Sequence, residues 1–179
     1  EKLVNEFSDF ARMPKPTLRE NNINLLLKDN INLLKELDKE ISYNFTESNN
    51  KILLNSDNEQ LSRVFLNLIK NSVESIHQKS MNMPKFDKKI SIDLNESNDH
   101  ITIEFVDNGV GFNSLNNNIR DILNPYFTTK KNGTGLGLAI ANKIINDHNG
   151  NIEFIPIKDG AKIKIIFFKN DSRNFNSWR

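Results

Sequence analysis

Two short glycine clusters carry the chemical signal of this chain. Of its seven glycines, five fall in Asp107-Asn108-Gly109-Val110-Gly111 and Gly133-Thr134-Gly135-Leu136-Gly137, and none precedes Gly109. Glycine lets a backbone approach a ligand closely and adopt positive φ. In the first cluster, Asp107 sets an acceptor-only carboxylate where a strand pattern ends, beside bare backbone. Such a group can accept a proton from an exocyclic amine like that of adenine. A turn opened by an Asp is the plainer reading of that motif taken alone. The second cluster, continued by Leu138, precedes a helical pattern, and a helix N-terminus offers free N–H groups and a favourable dipole to a phosphate. A hinge that caps a helix is the alternative there. No Gly-Lys-Ser/Thr follows, and Gly-x-Gly-x-x-Gly spacing is absent, so neither a Walker loop nor a Rossmann turn is present.

A third group lies upstream. Asn67, Asn71 and Glu74, spaced i, i+4, i+7, form one polar line on a helix. A solvated face accounts for it by itself. The functional alternative is that the Asn oxygens hold Mg²⁺, a hard cation that bridges to phosphates. His77, His100 and His148 are not spaced as a ligand set, and no Ser, His and Asp form a nucleophile arrangement.

The elements that must position these groups follow from periodicity. Leu3, Val4, Phe7, Phe10 and Ala11 recur at helical spacing up to Met13-Pro14-Lys15-Pro16, a pattern already running at residue 1, as expected of a piece of a longer chain. A helix is predicted from about Asn22 to Leu37, then a strand with Ile41, Tyr43 and Phe45. Asp57 is placed to cap a long helix from about Asn58 to Lys79, with Leu61, Val64, Phe65, Leu68 and Ile76 on its buried face. Strands are predicted at Lys89–Leu94 and Ile101–Val106. A helix over Leu136–His148 is expected to end on Gly150 as a left-handed cap. Strands over Asn151–Ile155 and Ala161–Phe168 then flank an Asp159-Gly160 hairpin turn. The pattern-poor stretch from Gly111 to Gly133 reads as a long loop with one short helix, where a lid over a ligand would lie. The fold class is therefore α+β: a two-layer α/β sandwich with helices on one face of a mixed, largely antiparallel sheet.

Composition excludes several classes. The 179 residues contain no cysteine, so disulfides and thiolate metal sites are out. Net charge is +1 without a dense basic stripe, which argues against nucleic acid as a partner. No apolar run reaches the ~20 residues of a membrane span.

Taken in order, these elements resemble the ATP-binding domain of sensor histidine kinases in the GHKL superfamily. The N box would be Asn67-Leu68-Ile69-Lys70-Asn71, the glycine boxes the two clusters, and the F box Pro125-Tyr126-Phe127-Thr128-Thr129-Lys130. The resemblance is closest to NtrY and NtrB nitrogen-regulation kinases. It implies the Bergerat fold over residues 17–169, preceded by part of a dimerisation helix (1–16) and followed by a tail (170–179). It implies that Asp107 accepts the adenine amine beside Gly109 and Gly111, and that Asn71, with Asn67 supporting, ligates Mg²⁺. Gly135, Leu136 and Gly137, with Leu138 following, would offer N–H groups to the phosphates of ATP. Thr134 and Lys130 would add donors, and Phe127 would anchor the lid.

The resemblance further implies transfer of the γ-phosphoryl to a histidine of the protein's own dimerisation domain, in a homodimer, for relay to a response-regulator receiver aspartate. The setting would be a cytoplasmic domain of a membrane-anchored sensor. Superfamily ATPases place a Glu where Asn67 stands, so hydrolysis is expected to be slow. No histidine here has the acceptor context, so autophosphorylation in cis is not expected. Of the third glycine box only Gly160-Ala161 remains. A GHKL-type ATPase or a non-catalytic nucleotide-binding module is the alternative.

Overall fold

The computed structural model describes residues 13–47, 50–112, 122–126 and 133–169. Chain order is β1 (Arg19–Asn22), α1 (Ile23–Leu37), β2 (Ser42–Glu47), β3 (Leu53–Ser56), α2 (Asn58–Asn82), β4 (Lys89–Glu96), β5 (His100–Asp107), α3 (Gly137–Asp147), β6 (Gly150–Ile157) and β7 (Gly160–Phe168). β1 and β3 pair as a small antiparallel ribbon, which sequence periodicity did not reveal because each strand has only four residues. The main sheet runs β2-β4-β5-β7-β6, parallel at β2–β4 and antiparallel elsewhere. The expected mixed, largely antiparallel sheet with helices on one face is therefore what the chain forms.

Alternation explains the layering. Ile90, Ile92 and Leu94 of β4, Ile101, Ile103 and Phe105 of β5, and Ile163, Ile165 and Phe167 of β7 are all buried. They meet Ile23, Leu27, Ile31 and Leu34 of α1, Leu61, Phe65, Leu68 and Ile76 of α2, and Ile140, Ile144 and Ile145 of α3 in one core. The opposite sheet face is polar, with the Lys162 ammonium 2.6 Å from Glu104. Asn22 caps α1 by accepting the Leu25 N–H, and Asp57 caps α2 by accepting those of Glu59 and Gln60.

Two expectations need correction. Gly150 is not the left-handed cap of α3. Asn149 takes that conformation at φ 56, which Asn tolerates, while Gly150 opens β6. A Cβ at Gly150 would lie 2.8 Å from the Ile166 carbonyl oxygen, so the glycine serves close packing. The hairpin turn is Lys158-Asp159, and Gly160 is the first residue of β7, paired with Ile157.

Candidate functional site

α2 is the element on which the site converges. Asp107 ends β5 and is 4 % exposed. Its Oδ1 accepts the Gly109 N–H at 2.9 Å, and its Oδ2 accepts the Ser72 hydroxyl of α2 at 2.8 Å. One turn on, Ser75 Oγ accepts the Val110 N–H at 3.0 Å. A Cβ at Gly109 would lie 2.3 Å from that same oxygen, so glycine is needed for the loop to seat on α2. Lys79 donates to the Asn108 carbonyl at 2.8 Å, with its ammonium 5.0 Å from the Phe86 ring centre. The Asn108 side chain ties the loop to β4, accepting the Lys89 N–H and donating to the Asp87 carbonyl.

The same helix reaches the second cluster. A Cβ at Gly137 would come within 2.8 Å of Asn67 Oδ1, so the amide of Asn67 lies against the first residue of α3. Gly135 holds φ 69 with the Tyr126 backbone against it, and the Tyr126 N–H donates to the Gly135 carbonyl at 3.0 Å. The Tyr126 end of the expected F box therefore touches the second glycine cluster. Phe127 and Lys130 lie outside the described residues, as does most of the expected lid.

Unlike α1 and α2, α3 begins without a side-chain cap: Leu136 occupies that position, and no acidic residue stands in the first turn. A helix start leaves its first N–H groups without intrahelical partners. The amides of Gly137 and Leu138 lie at the positive end of the helix dipole, which suits an anion. Thr134 Oγ1 lies 3.5 Å from the Leu136 nitrogen, at the edge of the same turn.

Electrostatics separate the two ends of the site. Burial pushes the Asp107 carboxyl above the usual range, opposed by the hydrogen bonds from Gly109, Ser72 and the Ala161 N–H and by the charge of Lys79. The third glycine remnant packs against the backbone of Asp107. Gly160 holds φ 121, and a Cβ there would lie 1.8 Å from the Asp107 carbonyl oxygen; one at Gly111 would lie 2.3 Å from the Gly160 carbonyl oxygen. Asn71 is half-buried on α2, one residue before Ser72.

Among the described residues no three His, Cys, Asp or Glu side chains cluster as a metal-holding group. The amide oxygens of Asn67 and Asn71 are of the hard kind that Mg²⁺ takes, a cation bound by few protein groups that completes its shell with phosphates and water. The histidines stay apart from this site. His77 Nε2 lies 2.6 Å from Asp38 Oδ2, and His100 opens β5 beside Asp99. His148 caps α3 and is used structurally, its Nε2 accepting the Asp57 N–H at 2.9 Å.

Ser72 and Ser75 escaped sequence reasoning. The available signal was Ser72 itself, a polar residue on the buried stripe Leu61, Phe65, Leu68, Ile76.

Residues 56–171 match the family described as histidine kinase-, DNA gyrase B- and HSP90-like ATPase. The chain belongs to that family of ATP-binding domains. It is 31% identical over 159 residues to the nitrogen regulation protein NtrY of Azorhizobium caulinodans, covering 89% of this chain and 20% of that protein. It is 31% identical over 169 residues to the sensor histidine kinase ZraS of Salmonella typhimurium, covering 93% and 34%. The chain thus spans about a fifth to a third of the length of these curated relatives. Among solved structures it matches the catalytic domain of the histidine kinase ThkA, with TM-score 0.73, 26% identity, and 85% and 97% of the two chains covered. ThkA has also been solved in complex with the response regulator TrrA, a match at 22% identity and TM-score 0.74 that covers 94% of this chain and 47% of that one.

Proposed function

We propose that this chain is the catalytic, ATP-binding part of a two-component sensor histidine kinase of the NtrY kind. One observation carries the reading: α2 touches Asp107 and Gly109 through Ser72 and Ser75, and Gly137 through Asn67. A nucleotide laid along α2 would present its base to Asp107 and its phosphates to the start of α3. Gly109 and Gly111 would form the floor beside the adenine. Gly135, Leu136, Gly137 and Leu138 would supply backbone donors, with Thr134, Lys130 and Phe127 contributing from the lid side.

Asn71, supported by Asn67, would hold Mg²⁺, which when bound neutralises phosphate charge. The residues of the chain then act by positioning rather than by proton transfer. Asp107 orients the base, and the α3 amides fix the phosphate chain. Asn67, an amide, leaves the site without a base at the position where the superfamily's ATPases carry Glu, which favours transfer over hydrolysis.

The acceptor would be a histidine in a dimerisation domain ending within residues 1–16, and the catalytic unit would span 17–169. The parent would be a homodimer anchored in a membrane, handing its phosphoryl group to a receiver aspartate. Support for the joint comes from the chain entering the domain: the Thr17 N–H donates to Asp57 Oδ2 at 2.9 Å, and Gln60 donates to the Pro14 carbonyl. Mixing this chain with Mg-ATP and an acceptor-histidine domain should yield acid-labile phosphate on the acceptor. Asn71→Ala should abolish that transfer while leaving circular dichroism unchanged. Full transfer by the variant would remove the Mg²⁺ assignment.

A further inference from the structure

The Asp107 carboxylate is held by more of the protein than a recognition group needs for binding alone. A carboxylate has about four acceptor directions. Two are taken here: Gly109 N–H on Oδ1 and the Ser72 hydroxyl on Oδ2. The Gly109 donor is a backbone group that comes with the fold. Ser72 is the one side-chain donor, and it is 3 % exposed on a stripe otherwise made of Leu, Phe and Ile. A mid-helix serine ordinarily turns its hydroxyl back to the carbonyl four residues earlier. Ser72 instead reaches across to Asp107, 35 residues away in sequence.

We propose that Ser72 is a positioning residue for base selection, fixing the Asp107 carboxylate so that an open acceptor direction meets the 6-amino group of an adenine nucleotide. This rests on the reading of Asp107 as the adenine acceptor. The hydroxyl does two things at once. It removes the freedom of the carboxylate to rotate about its last bond, and it donates a hydrogen bond that favours the ionised form against burial. Lys79 of α2 is the charged side chain acting on Asp107 among the described residues. The other groups packed against the carboxylate from the loop and from β7 are neutral amides.

The test compares two ligands by titration calorimetry on the whole chain with Mg²⁺. ATP carries the amine, and purine riboside triphosphate carries hydrogen in its place. Ser72→Ala should weaken ATP roughly tenfold, the scale of one lost hydrogen bond to a charged group. It should leave purine riboside triphosphate unchanged within about twofold, and Ser72→Thr should restore ATP affinity. The pH at which ATP affinity falls on acidification should move upward in Ser72→Ala, because the carboxylate has lost a donor. An equal loss for both nucleotides would show a general packing effect and overturn the proposal, as would unchanged ATP affinity. Asp107→Asn run alongside separates the two levels. If it binds ATP normally, the adenine reading itself fails and takes the proposal with it. If it fails to bind while Ser72→Ala binds normally, only the role of Ser72 falls.

Discussion

Asp107 must be ionised in a place that disfavours charge. Its residue is 4 % exposed, and burial raises its pKa, while Gly109, Ser72, Ala161 and Lys79 pull the other way. The sign for binding follows. An ionised carboxylate accepts the purine amine, so affinity is full above the raised pKa and falls as pH drops through it. The loss should begin above the ordinary carboxyl value of 3.8. Titration calorimetry of ATP against pH should show this fall, and Asp107→Asn should bind at least about tenfold more weakly at neutral pH, matching the ~1.5–3 kcal/mol of a charge-assisted bond. A flat pH profile would deny the carboxylate its role. Gly160 acts on the same residue through the backbone. Gly160→Ala would force a methyl to within 1.8 Å of the Asp107 carbonyl oxygen at φ 121, and should destabilise the fold by about 2 kcal/mol or more in urea titrations. This remnant of a third glycine box thus retains a packing reason.

At the scale of elements, the helices divide by how they begin and end. α1 and α2 are closed by Asn22 and Asp57, whereas α3 opens on Leu136 with no side-chain cap. The exception is the helix whose start would face the phosphates. The other end of α3 is locked: His148 Nδ1 donates to the Ile144 carbonyl at 2.8 Å, and Nε2 accepts the Asp57 N–H. That second bond needs a neutral ring, and burial lowers the His148 pKa below its ordinary 6.5. Unfolding exposes an imidazole that protonates near 6.5 while the folded one stays neutral. Stability is therefore full above that pH and declines as pH falls below it, toward a limit of about 1.4 kcal/mol per pH unit for one proton. His148→Gln should flatten this slope in chemical denaturation between pH 7 and 5; an unaltered slope would place the titrating group elsewhere. Most of these elements were legible from periodicity, since the stripe from Leu61 to Ile76 and the alternation from Ile90 to Leu94 have long apolar registers. The β1–β3 ribbon was not, because four-residue strands carry too few alternations and their pairing is tertiary. The switch from Gly150 to Asn149 at the end of α3 was hidden for a related reason: close packing on Ile166 and a left-handed cap both call for glycine-like residues.

Across the whole molecule, the site is a matter of which distant stretches meet. The sequence named Asp107, the glycine clusters and the Asn67–Asn71 line, and the fold brings α2 against both clusters. It could not name Ser72 or Ser75, whose value appears only when β5 ends beside α2. Phe127 and Lys130, the residues expected in the lid, lie outside the described residues. Membership of the ATPase family fixes the class of ligand, and no helix of the described residues is long and apolar enough to cross a membrane. One nucleotide must contact both glycine clusters together, on either side of the middle turns of α2. Amide spectra of ¹⁵N-labelled chain titrated with a non-hydrolysable ATP analogue and Mg²⁺ test this directly, because the chain has only seven glycine amides to follow. Gly109, Gly111, Gly135 and Gly137 should all shift along a single binding curve with one Kd. Shifts confined to one cluster, or two curves with different Kd values, would contradict a shared site.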